Sequence, residues 1–537
     1  MGSDFAGLLT QLKIRSGLTF AELAARSFTT RSTVHRYCSG ATLPKDYAVV
    51  VTIATVCGAT PAELTELARL WTSAQDLAPP PRPGPARGPT PGPAPPGLGA
   101  WPGLRTAVLM TALSLVTLLI TGADTALPGA GTSAVAVNGA VSAVRGDDRW
   151  TWYPSKVSPA EFGVTMNSNT GAMPGFRVGT VRFWDSRTRW ADLEPAPGRF
   201  AWDALDRLVT GARSARLPAL FVFGGTPGWA APAGPKSLYT DESRTSPPDD
   251  LADWDAFVAA VAARYRGEIA AYELWDTAND SHFYSGSVST LVAMTQRAAR
   301  IVRAVDPAAT IVCPSLGHLS DPDGLRFLTR FAQLGGYQAC DVVGLKLRQR
   351  PAGEPPEVML TEVATAQRVL HDNGVGDPMW NTGPDFDVAN QPPVPSAQAT
   401  AYAARFFLVG LYGLAQGLQR SYAYSWGGAN LPIVLQVEGE APTPAALAID
   451  RIQQWVLGTA IRGCGHGPAV GLPDQVWECD FVAGGATRVI RWSTAGAVVT
   501  PAVPGQHTIE QLDGPTAAIE PGRSVAVSGQ PVLIEAS

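Results

Sequence analysis

The sequence of 537 residues has no Cys-x-x-Cys spacing among its six cysteines, so it carries no zinc-site pattern. Lysine is scarce, and the net charge is only −5, so no strong basic or acidic balance marks the whole chain. No metal or cofactor signature occurs. Charge is also missing from Thr106 to Ala123, while glycine and proline are abundant at 55 and 46 residues. The length exceeds one compact domain and points to two or three.

Charge is unevenly divided. Residues 1–103 carry nine Lys/Arg against six Asp/Glu, and the remainder 32 against 40. A mildly basic head on an acidic body is compatible with contact between the head and nucleic acid. Cys464 and Cys479 flank the turn-rich stretch Gly465–Gly471 and are placed to close a hairpin. Cys313 and Cys340 fall at opposite ends of neighbouring predicted strands and are expected to stay unpaired. Cys38 and Cys57 read as buried thiols.

Residues 1–76 read as a bundle of short helices. Thr19 caps Phe20–Arg26, a turn follows, and a second helix runs from Thr30 to Tyr37 before Ser39-Gly40. Leu23, Ala24 and Val34 are expected to pack the two helices together. The segment resembles the Cro/repressor-like (XRE-type) helix-turn-helix class. That resemblance implies DNA as partner, with Arg31, Ser32, Thr33, His35 and Arg36 in the major groove. Ser27-Phe28 departs from the usual glycine of the turn. The alternative partner is a cytoplasmic protein, with the head serving a membrane scaffold.

Residues 77–104 are a proline-rich spacer of polyproline II character. Residues 105–124 read as a single transmembrane helix, with Arg82, Arg87 and Arg105 on the inner side. The expected location is therefore the cell membrane, with a cytoplasmic N-terminus and an extracytoplasmic C-terminal part. A Gly/Ala-rich tether, 125–157, follows.

Over 158–459 strands and helices alternate, as in Phe162–Met166, Thr180–Phe183 and Ala270–Trp275 with Trp202–Ala215, Leu251–Arg266 and Val288–Val305. Eight such strands predict a (β/α)8 TIM barrel, and 460–537 a small C-terminal β-domain. The expected fold class is thus multidomain: an all-α head, one membrane helix, the barrel and the β-domain.

Several strands together resemble clan A retaining glycoside hydrolases, with family 39 nearest. The stretch Tyr272-Glu273-Leu-Trp275-Asp276-Thr277-Ala278-Asn279 parallels the family's Tyr-Glu-Ile-Trp-Asn-Glu-Pro-Asn. The run Arg182, Trp184, Trp190, Glu194-Pro195, Gly198, Trp202 and Asp206 parallels its second-strand signature, and Phe223–Trp229 its third-strand loop. The resemblance implies an acid/base at the Thr277 slot and a nucleophile at the Gly383 slot, after Trp380-Asn381-Thr382. Neither residue is an acid. A hydroxyl and a hydrogen atom supply neither proton transfer nor a covalent nucleophile, so catalysis is expected to be lost. The sixth-strand His-x-Tyr is replaced by Lys346-Leu-Arg348. Asp276, Asp280 and Asp385 lie near the vacated slots and are the candidate substitutes.

Arg182, Trp184, Trp229, Trp275, Asn279, Trp380, Tyr424 and Trp426 are the candidate carbohydrate-binding residues, with His282 and Tyr284 nearby. The reading is a membrane-anchored transcriptional regulator whose non-catalytic barrel binds a glycan or wall fragment and which signals through homodimerisation. Its rivals are an active glycosidase using the substitute acids and the scaffold already named.

Overall fold

The computed structural model describes residues 3–27, 31–44, 47–76, 149–347, 352–376, 378–384 and 391–537. The chain divides into two compact units, residues 1–131 and 132–537.

The first unit contains helices α1 (Ser3–Arg15), α2 (Phe20–Arg26), α3 (Arg31–Cys38), α4 (Tyr47–Val56) and α5 (Pro61–Asp76). Thr19 and Glu22 form a reciprocal capping box that starts α2, satisfying backbone donors that would otherwise lack partners. Leu23, Ala24 and Val34 are buried with Leu9, Leu12, Val50 and Ile53, which fixes α2 against α3. Arg15 holds Glu63 through two bonds of 2.6 and 2.9 Å, tying α1 to α5. Cys38 and Cys57 are buried and free.

The second unit opens with β1 (Arg149–Lys156). The barrel strands follow: β2 (Phe162–Met166), β3 (Thr180–Phe183), β4 (Ala219–Val222), β5 (Ala271–Glu273), β6 (Thr310–Val312), β7 (Val343–Leu345), β8 (Met379–Asn381) and β9 (Leu418–Trp426). They pair in parallel in the order β6-β5-β4-β3-β2-β9-β8-β7, and parallel bridges Val312–Val342 and Leu316–Leu345 close the ring. The strands are short apolar runs because both faces are covered. Helices such as Asp203–Ser214 bury one stripe, Leu205, Leu208, Val209 and Ala212, against them.

The remaining strands are β10 (Ala460–His466), β11 (Val476–Ala483), β12 (Ala486–Ser493), β13 (Val498–Thr500), β14 (Gln506–Gln511), β15 (Thr516–Ala518), β16 (Val525–Val527) and β17 (Val532–Ala536). The seven-stranded sheet runs β1-β10-β11-β12-β17-β14-β15. A buried Glu357 bonds Arg405 Nε at 2.8 Å and Trp492 Nε1 at 2.6 Å, linking this sheet to the barrel's helical layer.

Three expectations are corrected. No helix among the described residues is long and apolar enough to cross a membrane; the longest, Val288–Val305, carries Arg297, Arg300 and Arg303. The run 105–124 lies outside the described residues, and the single-pass membrane location, cytoplasmic N-terminus and extracytoplasmic barrel do not stand. Residues 149–156, assigned to the tether, are a strand paired with β10, and Trp150 packs against the core beneath it. Cys313 and Cys340, expected unpaired, form a disulfide with Cα atoms 5.4 Å apart. The 3-10 turn Tyr337–Ala339 ends at Cys340 just before β7, which brings it alongside the residue that follows β6. Cys464 is bonded to Cys479 across the paired β10 and β11.

Candidate functional site at the barrel mouth

The carboxyl ends of parallel barrel strands converge on one face, where βα loops build the site. At the centre lies a buried ion network. Arg182, the third residue of β3, donates to Glu273 Oε2 at 2.7 Å and Oε1 at 3.0 Å, and also to Asp276. Lys346, just past β7, reaches Asp276 Oδ1 at 2.8 Å and Thr382 O at 3.3 Å. All four side chains are at most 5% exposed.

Burial raises the Asp276 pKa, but Lys346 and then Arg182 outweigh it and hold the carboxyl below the usual carboxylate range. It is a committed anion with its acceptor sites occupied, since Thr277 Oγ1 also donates to Oδ2 at 3.1 Å. Such a group cannot deliver a proton to a leaving group at neutral pH. Glu273 and Asp276 are close because they share one guanidinium, not because they oppose each other over open space.

Thr277 and Gly383 stand at the two slots that the resemblance assigns to acids. Thr277 is 2% exposed, takes φ +44°, and donates its N–H to Ser315 Oγ at 3.0 Å. Gly383 has φ +130°, and a Cβ there would meet Lys346 Nζ at 3.6 Å. Strand alternation implies that Asp276 points away from the site, but β5 ends at Glu273, and the turn that follows directs Asp276 inward. Asp280, the second candidate substitute, accepts from His282 Nδ1 at 2.8 Å and His318 Nε2 at 3.2 Å. Burial raises its pKa, and the bonds to His318 and His282 outweigh that effect and lower it. Asp385 and Arg348 lie outside the described residues.

The candidate aromatics separate into groups. Trp184 is at the mouth, donating Nε1 to Tyr239 OH at 2.9 Å. Tyr424, half-buried, donates to Asp185 Oδ2 at 2.7 Å. Trp275 is fully buried and packs on Trp254 and Tyr284. Trp380 lies among Leu220, Ala271, Val312, Val342 and Tyr422, with the Arg420 guanidinium 3.8 Å over its ring. Trp426 is buried and bonds Gln436 Oε1 at 2.8 Å. Trp229 bonds Glu194 O at 2.8 Å, while Glu194 itself bonds Trp190 Nε1 at 2.7 Å and Gly198 N at 2.8 Å. That part of the signature holds a turn. Asn279 clamps Gly317 by bonds of 2.7 and 2.8 Å. Of the candidates from the sequence reading, Arg182, Trp184 and Tyr424 lie near the mouth; Trp184 is buried, as are Trp275, Trp380 and Trp426.

Sequence reasoning missed Asp185, Arg189, Tyr239 and Asp241. Arg189 stacks 3.6 Å from the Tyr239 ring centre and bonds Asp241 Oδ2 at 2.5 Å. Burial, then the negative charge of Asp185, raises both the Tyr239 and Tyr424 pKa, so both phenols stay protonated. The only sequence cue was their neighbourhood to the second-strand and third-strand motifs.

In the head, Arg31, His35 and Arg36 are exposed on α3, Thr33 is half-buried, and Ser32 is a residue of the same helix. Arg36 donates Nε to Thr42 Oγ1 at 3.1 Å, and His35 packs edgewise on Phe20.

The family described as "Helix-turn-helix domain" matches residues 4–67. No characterised protein matches the sequence in a search of curated proteins. Among solved structures, a family 39 glycoside hydrolase from Bacteroides cellulosilyticus WH2 is similar with a TM-score of 0.54 at 14% identity, over 71% of this chain and 82% of that one. A glucosidase from Croceicoccus marinus gives 0.52 at 15% identity, over 71% and 97%. A monomeric beta-xylosidase from Caulobacter crescentus CB15 gives 0.51 at 12% identity, over 72% and 97%. The chain joins a helix-turn-helix domain to a glycoside hydrolase-like barrel. At such identities the likeness concerns fold, and function has to be argued from the site.

Proposed function

We propose that this protein is a DNA-binding transcriptional regulator whose glycoside hydrolase-like barrel binds a carbohydrate and does not cleave it. The observation that carries the second half is the Arg182–Glu273–Asp276–Lys346 network. It fills the strand ends with paired charges, while the two slots that the resemblance assigns to acids hold Thr277 and Gly383. Retaining hydrolysis needs two carboxyl groups about 5 Å apart, one able to carry a proton and one free to attack. Glu273 and Asp276 are both engaged by cations. Binding remains chemically available: Tyr239 and Tyr424, both half-buried, supply aromatic faces and two protonated phenols beside Asp185, a combination suited to saccharide hydroxyls and ring faces.

The first half rests on the matched head and on the exposed Arg31, His35 and Arg36 of α3, the helix that enters the major groove in this class. A dimeric head would read paired half-sites.

The test uses the full chain in glycan-array binding, in parallel with hydrolysis of aryl glycosides. Glycan binding with no turnover is the expected result. Turnover that disappears in Asp276→Asn would replace this reading with an active glycosidase. Selection of bound sequences from random duplex DNA tests the head, and recovery of no enriched sequence would remove the regulator.

A further inference from the structure

Beside the mouth, between the barrel wall and its helices, lies a solvent-connected pocket, about 640 Å³ when the open solvent at its entrance is included. Leu347 and Pro384 follow β7 and β8; Ala423 and Tyr424 belong to β9; Ala403 and Phe406 come from the helix Ser396–Tyr412; and Pro432, Ile433 and Leu435 come from the loop after β9. Among the described residues, none of its lining side chains is charged. The two that carry polar atoms, Tyr402 and Tyr424, have their hydroxyls engaged elsewhere, at Gly353 O (2.9 Å) and Asp185 Oδ2 (2.7 Å). Among the described residues the surface open to a ligand group here is therefore mainly carbon.

Tyr424 decides what such a group belongs to. Its ring walls the apolar pocket, while its hydroxyl faces Asp185 among the polar groups of the mouth. One side chain thus contributes both to the apolar lining and to the polar groups of the mouth, and a ligand that reached both would be amphiphilic. We propose that the barrel takes a glycoside with a short alkyl aglycone, its sugar at the mouth and its chain in the pocket lined by Ala403, Phe406, Ala423 and Ile433. The inference rests on the saccharide reading of the mouth.

The experiment is calorimetric titration of the full chain with methyl, butyl, hexyl and octyl glucopyranosides, and separately with the matching n-alkanols. Each buried methylene is worth about 0.8 kcal/mol, or roughly a fourfold gain in affinity. The expected result is a stepwise rise along the glucoside series that flattens in Ala403→Phe and in Ile433→Asp, with methyl glucoside binding unchanged in both. Ile433 is half-buried, so its variant guards against misfolding of the first. Methyl glucoside binding without dependence on chain length overturns this proposal and leaves the saccharide reading standing. A rise along the alkanols with no glucoside bound overturns both. The same slope in wild type and both variants places the chain elsewhere and overturns the assignment of this pocket.

Discussion

The ammonium of Lys346 stands 2.8 Å from the carboxylate of Asp276, with both side chains at most 5% exposed. A buried pair of this kind adds little net stability when intact, because desolvation offsets attraction, yet it is costly to break. Lys346→Met would leave Asp276, among the described residues, with Arg182 as its one remaining cationic partner, which Glu273 also shares. The expected loss is about 3–5 kcal/mol in denaturant unfolding. The pH dependence carries a sign as well. The folded Asp276 pKa is depressed, so its contribution is present above the unfolded value near 3.9 and is lost as pH falls through the folded value. In Lys346→Met the acid unfolding midpoint should move upward; an unmoved midpoint would show that Lys346 does not hold the anion.

The same cation bears on attempts to rebuild catalysis. Thr277→Glu combined with Gly383→Glu restores the two acids in name only. Both positions have positive φ, +44° and +130°, where a non-glycine residue stores about 1–3 kcal/mol of strain. A carboxylate growing from residue 383 meets Lys346, whose Nζ would lie 3.6 Å from its Cβ. The double variant is expected to show no aryl glycosidase activity and a lowered melting temperature. Turnover above the wild type would mean that the ion network yields readily to an open site.

For the head, removing Arg31 or Arg36 should weaken DNA binding without unfolding α3, because both side chains are exposed and the helix is anchored by Val34 and Cys38. If each contacts a phosphate, each alanine variant lowers the slope of log K against log salt by about 1. Circular dichroism checks the fold, and equal salt slopes in wild type and variants would exclude these arginines from the contact.

Much of this architecture is legible from periodicity. The helix Val288–Val305 has the bounds its apolar spacing implies, and the barrel strands fall within a few residues of their apolar runs. Thr277 and Gly383 are noticeable in the sequence because they depart from a known pattern at fixed places. What fills the site was not readable. Lys346 stands as a departure from that pattern on one strand, and its partner Asp276 follows a strand that stops at Glu273, so alternation ceases to apply. Trp380 likewise sits in a three-residue strand with Arg420 stacked on it, and no local cue distinguishes an interior tryptophan from one at the rim. The Cys313–Cys340 bridge depends on a 3-10 turn, a feature without hydrophobic period.

Far from the mouth, Glu161 offers a test of electrostatics in the opposite direction. It accepts a bond from Ser158 N at 3.0 Å through Oε1, while its buried Oε2 has no hydrogen-bond partner among the described residues. Burial pushes its pKa up to about 7, against the lowering effects of the Ser158 N–H and Arg420. A raised folded value means that its stabilising contribution is complete below the unfolded pKa, near 4.3, and is lost as pH rises through about 7. Glu161→Gln keeps the acceptor for Ser158 and cannot ionise. Wild type and variant should melt together at pH 4, below the unfolded pKa, to within the small cost of the exchange. At pH 8 the variant should be more stable, by an amount on the order of 3–4 kcal/mol. Thermal melts of the full chain at half-unit pH steps measure this, and parallel profiles across that range would show that Glu161 is ionised in the folded barrel without penalty.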